Sequence, residues 1–305
     1  MSWTEKLLKW YFENKRDFIW RKTNDPYKIW LSEIILQQTR TSQGLPYYNK
    51  FIKEYPTIKN LALSSEQNVL KLWQGLGYYS RARNLHFTAK YIQNEYDGNF
   101  PNSFEELLSL KGIGDYTASA IASICFDLPH AVVDGNVYRF LSRFFGITTP
   151  INSNIAFKEF KKKATSLMDK NQPGNFNQAL IEFGALQCKP RKPNCSVCPF
   201  IRDCFAFNYN KINLLPVKKK KNKLKSRYYN YLVILDLNGS VIIEKRMGKG
   251  IWQNMNQFPL IETNKKVKNI KEFHNHLYFQ TNLTLKNEKW ILWNKIPIIQ
   301  KLSHL

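Results

Sequence analysis

The chain has 305 residues, 43% of them hydrophobic, which is long enough for two domains with separate cores. Its 46 Lys and Arg against 23 Asp and Glu give a formal charge of +23, so the surface should concentrate polyanions, with nucleic acid the first partner to expect. No apolar stretch approaches the roughly 18 residues of a membrane span, and the N-terminal run MSWTEKLLKWYFENKRDF lacks the apolar core of a secretion signal, so a cytoplasmic protein is expected.

Helical signals open the chain. Ser2 and Glu5 have the spacing of a capping box before Trp3, Leu7 and Tyr11, Ser103 and Glu106 repeat it, and apolar periodicity continues to about residue 187. Ile29 to Thr39 (IWLSEIILQQT) is so apolar that a helix there must be largely buried, yet it carries Glu33, with Trp30 and Gln37 on the same face. Desolvation would raise the pKa of such a carboxyl into the range of a general acid, unless the side chain reaches water at the helix edge. Gly75 to Leu85 (GLGYYSRARNL) combines a tight glycine turn with Tyr78, Tyr79, Arg81 and Arg83. Aromatics among cations suit unstacked bases and phosphates, although the tyrosines would serve equally as ordinary core or surface residues.

Leu110 to Ala118 (LKGIGDYTA) places Gly112 and Gly114 between helical segments, where backbone N–H groups and a helix N-terminus can meet a phosphate. This is the form of a helix-hairpin-helix clamp, and also of a simple turn. Cys125, in the apolar run AIASICF, reads as a core thiol. In VVDGNVYRFLSRFFG, Asp134 stands where a helix should begin, so it is an N-cap whose amide donors and helix dipole would keep it ionised. Two carboxylates in opposite protonation states make the pattern of a glycosidic-bond enzyme: one protonates the leaving group, the other stabilises the oxocarbenium-like sugar. About 100 positions separate Glu33 from Asp134, and sequence alone cannot join them.

Four of the five cysteines, Cys188, Cys195, Cys198 and Cys204, fall in a C-x6-C-x2-C-x5-C run among basic residues. Such compression is built for a metal centre, with iron-sulfur favoured over tetrahedral zinc because the spacing departs from paired C-x2-C knuckles, and with disulfides less suited to this compartment. From Leu214 the chain becomes LLPVKKKKNKLKSR, so residues 206 to 226 read as a basic linker. Beyond it, YYNYLVILDLNGSVIIEKR gives two β-rich runs around Asn238-Gly239, a hairpin signal opening a second, α+β domain over 227 to 305. No internal repeat is present.

The order SEIILQQT, GLGYYSRARNL, LKGIGDYTA, VVDGNVYR, FNQALIEFGALQC and the cysteine loop resembles the adenine DNA glycosylases of the MutY type, in the helix-hairpin-helix or endonuclease III superfamily, across essentially all of residues 1 to 205. The resemblance implies a mainly α fold: a two-lobed glycosylase with a six-helix barrel module and a 4Fe-4S module held by Cys188, Cys195, Cys198 and Cys204, the active site lying between them. It implies removal of adenine mispaired with 8-oxoguanine or guanine in duplex DNA by base flipping, by a nucleoid-associated monomer. Glu33 is similar to the family's acid and Asp134 to the carboxylate at the anomeric carbon, with Asn136 and Tyr116 orienting them. Trp20, Arg21, Leu36 and Gln178 resemble the adenine pocket, and Gln38 and Tyr78 the side chains inserted into the base stack. Arg81, Arg83, Gly112, Gly114, Lys189, Arg191 and Lys192 would face the DNA backbone. Lys111 stands where the hairpin usually has proline.

Tyr116 separates subfamilies. Lyase-competent relatives that remove oxidised pyrimidines have a lysine here that forms a Schiff base with the sugar, and a phenol cannot. An endonuclease III-like glycosylase and lyase is therefore the alternative, followed by a non-catalytic iron-sulfur DNA-binding protein. VIIEKRMGKGIWQNMNQFPLIE resembles the family's Nudix-like C-terminal domain, which reads 8-oxoguanine, but no REx2EEx box follows it. Ser303 and His304 are the nearest match to the reader loop, with Leu302 in place of phenylalanine, and Leu305 follows at once, so a shortened reader domain is expected.

Overall fold

The computed structural model describes residues 1–219, 226–234, 238–248, 250 and 252–267, and the chain divides into two units, Met1–Lys220 and Lys221–Leu305. The first unit is helical, as its periodicity predicts: α1 Trp3–Asn14, α2 Pro26–Leu36, α3 Thr41–Glu54, α4 Ile58–Leu63, α5 Glu66–Leu72, α6 Ser80–Glu95, α7 Phe104–Ser109, α8 Asp115–Cys125, α9 Gly135–Phe145, α10 Ala156–Leu167, α11 Pro173–Leu186 and α12 Phe205–Asn208.

Local chemistry sets the helix starts. The Ser2–Glu5 capping box forms in full, the Ser2 hydroxyl accepting from the Glu5 N–H and the Glu5 carboxylate from the Ser2 N–H. At α7 the second box forms by half. Ser103 accepts from the Glu106 N–H, but its hydroxyl takes the Glu106 carboxylate at 2.6 Å, so that carboxylate does not reach back to the Ser103 N–H. Asp25 caps α2 through the N–H groups of Tyr27 and Lys28, with Pro26 in the first turn.

Two apolar cores form within this unit. Residues of α2 to α8 close around Trp30, Leu31, Ile35, Phe51, Trp73 and Leu85. α1 joins α9, α10 and α11 around Leu7, Val137, Phe140, Phe160 and Phe183, with Phe200 inserted from the cysteine loop. α8 serves both, giving Ala118 and Ile121 to the first core and Ala120 to the second. A carboxylate on α2 and another at the start of α9 are thus carried by different cores and can meet beside α8.

The stretch read as a linker begins inside the first unit. Leu215 is 3% exposed, its carbonyl accepts from Arg143 Nε at 3.1 Å, and the Val217 carbonyl accepts from the Ile151 N–H at 2.9 Å. The apolar residues ahead of the lysine run anchor the chain, which composition averaged over the stretch conceals.

In the second unit, β1 (Tyr228–Tyr231) pairs antiparallel with β4 (Leu260–Thr263), and β2 (Glu244–Lys245) with β3 (Asn256–Gln257). Gly239 adopts φ 80° and the Ile242 N–H reaches the Ile234 carbonyl at 3.4 Å, so the chain does turn at Asn238-Gly239. Among the described residues the regular ladders pair the strands on either side of this turn with the strands after residue 255. Ser303 and His304 lie outside the described residues.

Candidate active site

Glu33 sits in the last turn of α2, Tyr116 at the start of α8 and Asp134 at the N-cap of α9. Tertiary folding brings all three together. The Tyr116 hydroxyl hydrogen-bonds the Glu33 carboxyl, and Glu33 and Asp134 act on each other electrostatically. Burial pushes the Glu33 carboxyl up to about 7; the Tyr116 hydrogen bond and Arg21 pull down, and Asp134 pushes up. The side chain keeps partial solvent contact, yet protein surrounds the acid closely enough for desolvation to dominate. Tyr116 is driven well above the usual phenol range by burial and by both carboxylates, so it is a hydrogen-bond donor and not a base.

Asp134 Oδ1 accepts from the N–H groups of Asn136 and Val137, each at 2.8 Å, and Oδ2 from Asn136 Nδ2 at 2.7 Å. The sequence expectation was that the cap donors and the helix dipole would keep this carboxyl ionised. Burial raises its pKa above the ordinary value, outweighing the lowering by these donors and by Arg139. Every hydrogen-bond partner of Asp134 is a donor, so the ionised form is the one the site is shaped to hold.

Arg139 supports this cap from below. Its guanidinium donates to Asn136 Oδ1 at 2.8 Å, to the Cys188 carbonyl at 2.7 Å and to the Gly184 carbonyl. Gly184 is required by contact: a Cβ there would lie 2.5 Å from the Asn136 carbonyl oxygen. The close crossing of α9 and α11 therefore sets the height of Asn136.

Of the expected base pocket, Trp20 is 6% exposed, stacked on Phe18 at 4.9 Å and edge-on to Tyr48, and Leu36 is half-buried against Gly44. Arg21 donates to Gln178 Oε1 at 3.1 Å and to Glu182 Oε2 at 2.8 Å. Glu182, fully buried, also accepts from Arg16 Nε and Nη2 at 2.8 Å each. Burial alone would raise its carboxyl, but the hydrogen bonds from Arg16 and Arg21 hold it at about 2. Sequence reasoning missed Glu182, Arg16 and Arg139. The signal was present, since Glu182 interrupts FNQALIEFGAL as Glu33 interrupts IWLSEIIL.

Glu182→Ala leaves two cations facing a hole and should cost about 3–5 kcal/mol. Because the folded carboxyl lies at about 2 against 4.5 unfolded, the stabilisation is complete above about pH 4.5 and lost as pH falls toward 2. Thermal melts of both proteins should differ by a constant Tm gap near neutrality that closes in acid; an unchanged Tm at pH 7 would refute the role of the pair.

The expected DNA-facing residues divide. Gly112, at φ 83°, turns the hairpin beside Asn84, and Gly114 precedes α8 with open space where a Cβ would be. Lys189, Arg191 and Lys192 are exposed, and Arg83 pairs with Glu66 at 3.3 Å. Gln38 and Tyr78 are exposed, both at positive φ. Arg81 departs from expectation: its two terminal nitrogens are engaged by main-chain carbonyls, so it does not present a free fork to phosphate. Burial pushes its guanidinium down to about 10.

The four cysteines line one cavity with Phe140, Phe144, Phe183 and Phe200. Arg143, 4% exposed, binds the carbonyls of Lys189 and Pro190 and lies 3.5 Å from Cys188 Sγ. Among the described residues no three His, Cys, Asp or Glu are gathered closely enough to hold a single metal ion. Cys125 packs against the first core, and burial pushes its thiol up to about 12.

Comparison with known proteins agrees with this architecture. Residues 31–165 match the family described as "HhH-GPD superfamily base excision DNA repair protein". An adenine DNA glycosylase of Buchnera aphidicola subsp. Baizongia pistaciae is 37% identical over 307 residues, covering 96% of this chain and 87% of that protein. A thermostable thymine-DNA glycosylase structure superposes with TM-score 0.63 at 30% identity, over 68% of this chain and 95% of its own. An endonuclease III trapped as a covalent DNA intermediate gives TM-score 0.59 at 20% identity over 68% and 94%, a likeness of fold.

Proposed function

The chain belongs to the adenine DNA glycosylase family, a base excision repair enzyme that hydrolyses an N-glycosyl bond in DNA, and we propose that Glu33, Asp134, Tyr116 and Asn136 are its catalytic groups, acting on adenine mispaired with 8-oxoguanine or guanine. The observation that supports this most is the meeting of two carboxyls, carried by separate cores, with one tyrosine between them.

The adenine is flipped out of the duplex to reach them. Glu33, which burial raises to about 7 so that a large share keeps its proton near neutrality, gives that proton to a ring nitrogen of the base. The glycosidic electron pair then leaves with a neutral adenine. Asp134 faces the resulting oxocarbenium-like sugar, and its three hydrogen-bond donors keep it in place as that positive charge develops. Glu33, now a carboxylate, accepts a proton from the water that adds to the anomeric carbon, which restores the acid. Trp20 and Leu36 supply apolar walls to the base, and Arg21 with Gln178 supplies a polar edge. The cations acting on the catalytic trio are the arginines Arg21 and Arg139, not a lysine, which supports glycosylase action without a Schiff base.

Cys188, Cys195, Cys198 and Cys204 hold a 4Fe-4S cluster, a closed centre that stiffens the basic loop carrying Lys189, Arg191 and Lys192. Four thiols lining one cavity supply the donor set of such a cluster. Gly112, Gly114 and Arg83 meet backbone phosphate, Gln38 and Tyr78 enter the stack, and the protein acts as a monomer on chromosomal DNA.

Single-turnover assays on adenine opposite 8-oxoguanine and guanine, with the four natural pairs as controls, test the substrate. Products should carry intact abasic sites cut only by hot alkali, and borohydride should trap no complex. Excision of oxidised pyrimidines with strand cleavage would favour the lyase alternative instead. Purified protein should be brown and contain iron and sulfide; zinc without either would overturn the cluster.

A further inference from the structure

Gln38 and Tyr78 share an unusual backbone. Each is a non-glycine residue in the left-handed region, at φ 54° and 49°, and each is exposed. They belong to different elements, Gln38 just after α2 and Tyr78 just before α6. Side chains of L-residues avoid this region, so the surrounding structure must hold each one there.

Arg81 reaches both. The φ of a residue is fixed by the peptide group that precedes it, and the preceding carbonyl in each case accepts from the same guanidinium: Gln37 from Nη1, and Gly77 from Nη2 at 3.3 Å. The same two terminal nitrogens also bind groups beside these turns, while Nε makes no hydrogen bond. Nη1 also meets the carbonyls of Ile34 at 3.2 Å and Ile35 at 3.0 Å, with Thr39 Oγ1 at 3.3 Å, while Nη2 meets Leu76 at 3.3 Å. The guanidinium carbon lies 5.1 Å from the Trp73 ring centre and 5.6 Å from that of Tyr78. Trp73 Nε1 adds a hydrogen bond to the Gly77 carbonyl at 2.9 Å, locking the second turn from its other side.

We propose that Arg81 is a positioning residue that couples the two turns, so that Gln38 and Tyr78 stand preset as the two halves of one wedge driven into the duplex as adenine leaves it. The proposal rests on the adenine excision described above. A planar fork can join two turns at once, whereas the point charge of a lysine cannot satisfy both sets of carbonyls. Preset side chains lose less freedom on entering the stack than flexible ones, so the benefit falls on the flipping step and not on the chemistry at Glu33.

The test is Arg81→Lys in single-turnover excision on two substrates: a regular duplex with adenine opposite 8-oxoguanine, and the same adenine inside a short bubble of mismatches, where it is already unstacked. The variant should slow excision from the regular duplex by more than about tenfold and from the bubble by less than about threefold. In a Gln38→Ala, Tyr78→Ala background, Arg81→Lys should bring no further loss on either substrate. Equal losses on both substrates would mean that Arg81 only maintains the fold and would overturn the proposal, as would a full additional loss in the double-alanine background. Wild-type protein inactive on both substrates would instead remove the adenine-excision function itself.

Discussion

Glu33→Gln is expected to reduce adenine excision by about 10³- to 10⁴-fold while leaving affinity for mismatched duplex within about twofold, because the amide keeps the shape of the acid but has no proton to give. The pH profile carries the same information. With the acid at about 7, excision should be flat below neutrality and fall about tenfold per pH unit above it. Tyr116→Phe removes a hydrogen bond that favours the ionised carboxyl, so the falling limb should move to higher pH. Stability falls in the same pH direction as activity. A carboxyl at about 7 folded against 4.5 unfolded contributes fully below about pH 4.5 and loses that contribution as pH rises through 7. Glu33→Gln should therefore melt higher than wild type at pH 8, by on the order of 1–3 kcal/mol, and no higher at pH 4. Excision by Glu33→Gln at the wild-type rate would remove Glu33 from the mechanism.

Asp134→Asn should lower the rate by about 10²- to 10⁴-fold with little change in Tm. Asparagine is as good an N-cap as aspartate, so the start of α9 survives on the Asn136 and Val137 N–H groups. What goes is the negative charge beneath the sugar, and the new amide would also point its hydrogens at Asn136 Nδ2, which now donates to Oδ2 at 2.7 Å. The loss should appear in kcat with binding preserved, since the charge matters only as the cation forms. A rate close to wild type in a folded Asp134→Asn protein would show that the cap does nothing beyond starting the helix.

These two carboxyls show how the sequence and the fold divided the problem. Glu33 stood out because a charge in IWLSEIILQQT had to be buried or at an edge, and the structure combines the two: protein surrounds the acid while the side chain keeps partial solvent contact. Asp134 stood out as a cap, and it caps. The donors that favour its ionised form are legible in the residues around it, whereas the desolvation that opposes them comes from tertiary packing. The helical first unit, the turn at Gly112 and the compressed cysteines were all legible in the same way. Each depends on neighbours within a few residues, where periodicity, capping and glycine freedom act.

Long-range hydrogen bonding was decided only by tertiary structure. Arg81 looked like a phosphate ligand because cations among aromatics often are, yet carbonyls from α2 and from the turn before α6 claim its fork. Glu182 was passed over, although Arg16 and Arg21, more than 160 positions away in sequence, make it the most strongly held carboxyl of the pocket. Leu215 stands in a charged, linker-like stretch, yet Arg143 anchors it to the first unit. In each case a single buried group chose its partner by where the helices crossed. A sequence states that such a group needs a partner, and only the crossing of the helices determines which partner it meets.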